Sequence, residues 1–272
     1  MRRTLILLTV AALTLAATIS AQQPPADNPI PPSRAKVYVD EIEFDFGYLP
    51  NDAFVGHIYK LHSRGQDSLK ILRVKPACGC TKAPLQKEVI APGDSGEVEL
   101  IFHAAKNQRG RADKSAAITC NDNEKQNFNL RFRGIMYPTD HPDSLKPVTL
   151  SQSQVKWMYG TPAQEAVIAV ANVSGAPIRL QMIAAPVGFA VVDLPKDEIK
   201  PGKQREIRVR LDKAFAGKDF QKSFTFECND GARTRITVPV LLDAPVSAIA
   251  PPIAPGSGSG NTTNEKPAGS PR

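Results

Sequence analysis

Apolar and polar positions along most of the chain alternate with a period of two. Glu43-Phe44-Asp45-Phe46, Gly96 to Phe102, Asn127 to Phe132, Glu206 to Leu211 and Arg235 to Val238 each place one residue in two on an apolar face. That period belongs to strands with one side against a core and the other against water, the usual state of antiparallel sheets. Two more apolar stretches, Ala166–Ala171 and Ile178–Ala185, predict central strands, although Leu180–Ala185 can also be drawn as a short helix. No long amphipathic helix is legible between residues 36 and 243. Clusters of turn-forming residues separate the runs, among them Ser63-Arg64-Gly65-Gln66-Asp67, Pro92-Gly93-Asp94, Asn121-Asp122-Asn123, Pro201-Gly202-Lys203 and Asn229-Asp230-Gly231.

The pattern occurs twice. Gly65 answers to Gly175, Pro92-Gly93 to Pro201-Gly202 and Cys120-Asn121-Asp122 to Cys228-Asn229-Asp230, at offsets of 110, 109 and 108 residues. A drift of one or two residues is what small loop insertions leave behind. About seven short strands in about 100 residues without helices predict an immunoglobulin-like β-sandwich. The fold class is therefore all-β, two tandem sandwiches over 36–138 and 143–243, each closed by a hairpin around Asp122 or Asp230. The short Pro-containing link between them, Tyr137 to Asp143, predicts a semi-rigid rod with limited hinge freedom.

The ends read differently. Arg2-Arg3, an uncharged apolar stretch and Ser20-Ala21 have the order of a secretory signal peptide over 1–21, cleaved after Ala21. Its apolar run is shorter than the roughly 20 residues that span a bilayer, and no second such run follows. Residues 22–35 form a Pro/Gln-rich spacer, and residues 244–272, dominated by Pro, Gly, Ala, Ser and Asn, predict a disordered tail. The mature chain is expected to carry no transmembrane segment and to lie outside the cytoplasm: in the periplasm, associated with the outer membrane, or secreted.

Charge adds little. The net value is +7 over 272 residues and falls to +5 once Arg2 and Arg3 leave with the leader. No block of basic residues is dense enough to neutralise many phosphates, which argues against nucleic acid. Arg208 with Arg210, and Arg233 with Arg235, are spaced by two and read as the solvated face of strands. The histidines, His57, His62, His103 and His141, lie singly on predicted strands or beside turns, so no convergent acid, base or nucleophile marks an enzyme. Trp157, the one tryptophan, alternates with polar neighbours and reads as a core or interdomain residue rather than a sugar platform.

The cysteines carry the remaining chemistry. Cys120 shares its parity with Ala116 and Ile118, and Cys228 shares its parity with Phe224 and Phe226, so both thiols are expected to face a core. Cys228 reads as a structural buried thiol. Cys78-Gly79-Cys80-Thr81 follows a predicted strand, and the second copy has Pro186-Val187-Gly188-Phe189 in its place. Three readings stay open. Cys78 and Cys80 can close a small, readily reduced disulfide across flexible Gly79. They can begin a soft-metal site for Cu(I) or Zn(II), for which further ligands are needed. Alternatively they form a structural corner, with Cys80 free to bridge Cys120.

Val37 to Tyr137 resembles the bacterial exported family known as domain of unknown function 1573. The resemblance rests on Phe44-Asp45-Phe46-Gly47, on Leu69-Lys70-Ile71 leading to Cys78-Gly79-Cys80-Thr81, and on Ile90-Ala91-Pro92-Gly93-Asp94-Ser95-Gly96. Gly110, Lys114, Asn121-Asp122 and Leu130-Arg131-Phe132-Arg133-Gly134 complete it. It implies an immunoglobulin-like fold akin to modules of ciliary, centrosomal and sperm proteins, and it implies no activity. Cys120 stands where the family more often has Ser, which leaves a third thiol role open. The second half resembles the same fold more distantly. The reading that follows is an exported, non-catalytic interaction or scaffolding module of the cell envelope, without cofactor, binding an unknown envelope protein by edge-strand pairing. The alternative is a thiol-based redox or soft-metal protein using Cys78 and Cys80.

Overall fold

The computed structural model describes residues 32–138, 145–161 and 164–244; the expected leader, most of the spacer and the tail beyond Ala244 lie outside them. Seventeen strands follow one another without a helix among the described residues. The first copy holds β1 (Val37–Val39), β2 (Glu43–Pro50), β3 (Phe54–Ser63), β4 (Leu69–Pro76), β5 (Thr81–Lys82), β6 (Val89–Ile90), β7 (Ser95–His103), β8 (Gly110–Cys120) and β9 (Asn127–Tyr137). The second holds β10 (Val148–Leu150), β11 (Val155–Met158), β12 (Glu165–Asn172), β13 (Leu180–Ala184), β14 (Ala190–Asp193), β15 (Gln204–Leu211), β16 (Phe220–Cys228) and β17 (Arg235–Asp243).

Topology repeats with the sequence. One layer runs β1-β3-β7-β5 in the first copy and β10-β12-β15-β14 in the second. The facing layer is β2-β9-β8-β4 in the first copy and β11-β17-β16-β13 in the second, with β2 parallel to β9 and β11 parallel to β17. Alternation decides which side chains meet between the layers: Phe44, Phe46, Val98, Leu100, Phe102, Leu130 and Phe132 fill the first core, and Ile168, Val170, Ile207, Val209, Phe224 and Phe226 the second. Each such aliphatic or aromatic side chain contributes about 1.5–3 kcal/mol on burial.

The repeated motifs are the clasps of this architecture. Ala91 O accepts from Asp94 N at 3.0 Å and Lys200 O from Lys203 N at 3.0 Å, closing turns in which Gly93 and Gly202 hold φ of 81° and 69°. Proline at the first central position and glycine at the second suit that backbone. The freed amides of Gly93 and Gly202 donate to Ser63 O and Asn172 O, pinning each turn to the end of β3 or β12. Asn121 Oδ1 accepts from Lys70 N, and Asn229 Oδ1 from Arg179 N, both at 2.7 Å, while Asp122 and Asp230 accept from amides of their own hairpins. Asp122 also accepts from Val37 N at 2.9 Å, tying β1 to the β8–β9 hairpin. Burial works to raise its pKa, but the amides of Val37, Glu124 and Lys125 outweigh that and hold the carboxyl below its usual range.

Three sequence expectations are corrected. β13 is not central but terminal in its sheet, and Ile178 contributes only an isolated bridge to Ile199. The ordered body begins ahead of residue 36. Arg34 N donates to Asp67 Oδ2, Gln66 N donates to Arg34 O, and Ala35 is fully buried, so the end of the expected spacer docks on the first copy.

The third correction matters most: the copies are not beads on a hinged rod. β17 pairs in parallel with β2 through Ile236 and Tyr48, so one nine-stranded sheet runs through both. Thr237 Oγ1 donates to Phe46 O at 2.7 Å and Arg235 Nη1 to Asp45 O at 3.2 Å. Gly47 holds φ of 63°, and a Cβ there would stand 2.0 Å from Arg235 O, which is why β17 can come so close. Gly56 N donates to Ser223 Oγ, and Lys222 Nζ meets Glu99 Oε1 at 2.5 Å across the junction. Residues 223–228 of β16 are consequently buried on both parities.

Candidate functional site

Chemistry concentrates between β4 and β5. Backbone bonds fix this loop: Ala77 N to Ser115 O at 2.9 Å, Thr81 N to Cys78 O at 3.2 Å and His103 N to Cys80 O at 3.1 Å. Cys78 and Cys80 are joined in a disulfide, their Cα atoms 5.3 Å apart, and Gly79 between them is exposed with nothing within 4 Å of where a Cβ would stand. β5 then starts with Thr81, whose backbone pairs with Phe102 and whose side chain is buried. The Thr81 hydroxyl lies 3.4 Å from Cys78 Sγ and 4.0 Å from Cys80 Sγ.

The loop forms part of the wall of a cleft of about 1130 Å³ at the junction of the copies. Gly79, Cys80, Lys82, Phe54 and His103 come from the first copy, and Phe189, Phe220 and Leu242 from the second. Phe189 belongs to Pro186-Val187-Gly188-Phe189, the β13–β14 connection that answers to Cys78-Gly79-Cys80-Thr81. The two equivalent loops thus converge on one cavity. His103 stacks on Phe54 with ring centroids 4.1 Å apart, and Lys222 Nζ sits 4.6 Å from the Phe189 ring centre. Lys82 and Lys106 add positive charge, and Asp219 and Asp243 add negative.

Cys120 and Cys228 are free and buried. Cys120 does not bridge Cys80, and its Sγ donates instead to Lys125 O at 3.3 Å. Burial pushes the Cys120 thiol up and the Cys228 thiol up to about 12, so neither supplies thiolate near neutral pH. As to metal, Cys78 and Cys80 are bonded to each other, and no group of three or more His, Cys, Asp or Glu side chains is placed to hold an ion among the described residues. His57 stacks on Phe44 and pairs with Glu41, and His62 pairs with Asp40. His141 lies outside the described residues. The Pro92-Gly93 and Pro201-Gly202 turns serve the scaffold.

Sequence reasoning missed the polar junction. Glu227 is buried and accepts from Arg233 Nε at 2.8 Å and Arg235 Nε at 2.9 Å, so that arginine pair is not simply a solvated strand face. Arg233 sits in the turn with φ of 53°, outside any strand. One signal was available: Val238-Pro239-Val240-Leu241-Leu242 is continuously apolar, the mark of a strand covered on both faces.

The family described as "Protein of unknown function (DUF1573)" matches residues 37–136 and again 152–240. No curated protein matches the chain. Among solved structures, a protein of unknown function from Porphyromonas gingivalis W83 is 15% identical over 76% of this chain and 99% of its own, with a TM-score of 0.33. The secreted serine protease VesC of Vibrio cholerae is 10% identical over 64% and 46%, with a TM-score of 0.30. The seventh PapD-like domain of human CEP192 is 14% identical over 48% and 96%, with a TM-score of 0.29.

Proposed function

The chain belongs to the DUF1573 family, whose domain it carries twice, and from that premise we propose an exported, non-catalytic module of the bacterial cell envelope that binds another protein in its junction cleft. The observation that carries this reading is the convergence of the two equivalent loops on one cavity, a surface that a single domain does not possess. Its wall suits a polypeptide with apolar side chains: the half-buried Phe54 and Phe189 offer contact area beside the buried Phe220, and the lysines and aspartates around them offer polar ends. β14, which follows Phe189 directly, is the terminal strand of its sheet. An extended partner segment resting on Phe189 is therefore within reach of strand addition, in which main-chain bonds give affinity and the cleft gives selectivity.

Capture from envelope extract tests the proposal. The wild-type chain is expected to retain a specific partner that Phe54→Ala loses at least tenfold, because the truncation removes a half-buried aromatic contact from the cleft wall. Val167→Glu, on the exposed face of β12, is expected to retain it. Equal retention by both variants, or no partner for the wild type, overturns the reading.

A further inference from the structure

We propose that the Cys78–Cys80 disulfide is a thiol–disulfide exchange site, which accepts two electrons from a pair of cysteine thiols in a polypeptide reaching the junction cleft. The inference goes beyond the binding reading and shares with it only the cavity.

Geometry distinguishes the two sulfurs. Cys80 lines the cleft, beside Lys82 and Lys106, whereas Cys78 is the sulfur nearer the buried Thr81 hydroxyl, at 3.4 Å against 4.0 Å. Gly79 leaves the loop uncovered. An entering thiolate, drawn by the lysines, attacks Cys80 Sγ in line with the S–S bond. That bond breaks, and Cys78 Sγ departs with the electron pair as a thiolate that the Thr81 hydroxyl stabilises by donating to it. The product is a mixed disulfide between Cys80 and the substrate. The second substrate thiol gives its proton to solvent and attacks the first substrate cysteine's sulfur in that mixed disulfide, releasing Cys80 as a thiolate. Both protein thiolates then take protons. The substrate leaves with a disulfide, two electrons poorer, and the protein leaves as a dithiol. Cys120 and Cys228, buried in the two cores, do not interfere. The second copy, with Pro186 and Gly188 where this site has its two sulfurs, supplies wall through Phe189 and not chemistry.

The test uses the purified full chain, folded, at pH 7, with glutathione as the probe. Excess reduced glutathione is expected to expose two alkylatable thiols, at Cys78 and Cys80, while Cys120 and Cys228 stay unlabelled. Thr81→Val is expected to slow this opening about tenfold, the scale of one lost charge-assisted hydrogen bond acting on the leaving thiolate, and Thr81→Ser to restore it. With oxidised glutathione, Cys78→Ser is expected to trap one glutathione on Cys80 about tenfold faster than Cys80→Ser traps one on Cys78. No gain of thiols in the folded protein, equal rates for Thr81→Val and wild type, or equal trapping by the two cysteine variants each overturns the proposal. Because glutathione needs no protein partner, exchange that fails while partner capture persists removes this inference alone, and the converse removes only the binding reading.

Discussion

Gly134→Ala is expected to cost about 3–5 kcal/mol and to lower Tm by roughly 10 °C, read by thermal unfolding. A Cβ at this position of β9 would stand 2.1 Å from Phe46 Cε2, 2.2 Å from Phe46 Cδ2 and 2.5 Å from Gly47 O. None of these atoms is the loose end of a flexible chain. The Phe46 ring is fully buried against Phe102 and Phe132, and Gly47 O is backbone. Relief requires β2 to move away from β9, and β2 is the strand whose other edge meets Ile236 and whose Phe46 and Asp45 carbonyls bind Thr237 and Arg235. The loss therefore falls on both copies. Shrinking the ring with Phe46→Leu in the same chain should recover part of the loss, a coupling that independent sites do not show. Gly79→Ala, which meets nothing within 4 Å, should change stability by less than about 0.5 kcal/mol.

Glu227→Ala should cost about 2–3 kcal/mol at neutral pH by urea unfolding, somewhat less than a fully buried ion pair because Arg233 remains open to water. Its carboxylate is 8% exposed and takes Arg233 and Arg235 together, and Arg235 in turn reaches Asp45 O of the first copy. The hydrogen bond from Arg233 is the largest cause holding the Glu227 pKa below its ordinary 4.5; Arg235 adds to it, and burial opposes both. A carboxyl depressed in the folded state contributes fully above its ordinary value, and that contribution disappears as pH falls through the lower folded value. Wild type should thus lose more stability than Glu227→Gln on acidification from pH 6 to pH 3. Equal losses would show that the carboxylate contributes nothing through its charge.

Much of the scaffold was legible because it is local. Alternation from Gly96 to Phe102 places Val98, Leu100 and Phe102 in the core as expected, and the shared parity of Ala116, Ile118 and Cys120 marks one inward face of β8. The Pro-Gly and Cys-Asn-Asp landmarks recur because each closes the same turn or hairpin in both copies. Apart from the continuously apolar Val238–Leu242, the junction was not legible, for the opposite reason. Ser223, Thr225 and Glu227 alternate with aromatic residues and so read as facing solvent. In the folded chain they are buried under the first copy, with Thr225 and Thr237 sharing a hydrogen bond at 2.6 Å and Glu227 neutralised by arginine. Period-two patterning cannot register a polar residue buried by pairing with a distant one. Ile178–Ala185 misled in a related way, since an apolar edge strand that packs against the first copy through Ile183 and Ala184 looks like a central one. The Cys78–Cys80 bond was one of three open readings, and the cleft beside it depends on loops separated by a whole repeat.

Differential scanning calorimetry of the full chain is the most direct test that the two copies make one cooperative body. A sheet continuous through β17 and β2 predicts a single transition, with calorimetric and van't Hoff enthalpies equal at roughly 140 kcal/mol near 60 °C. Two resolved transitions, or a calorimetric enthalpy near twice the van't Hoff value, would contradict it.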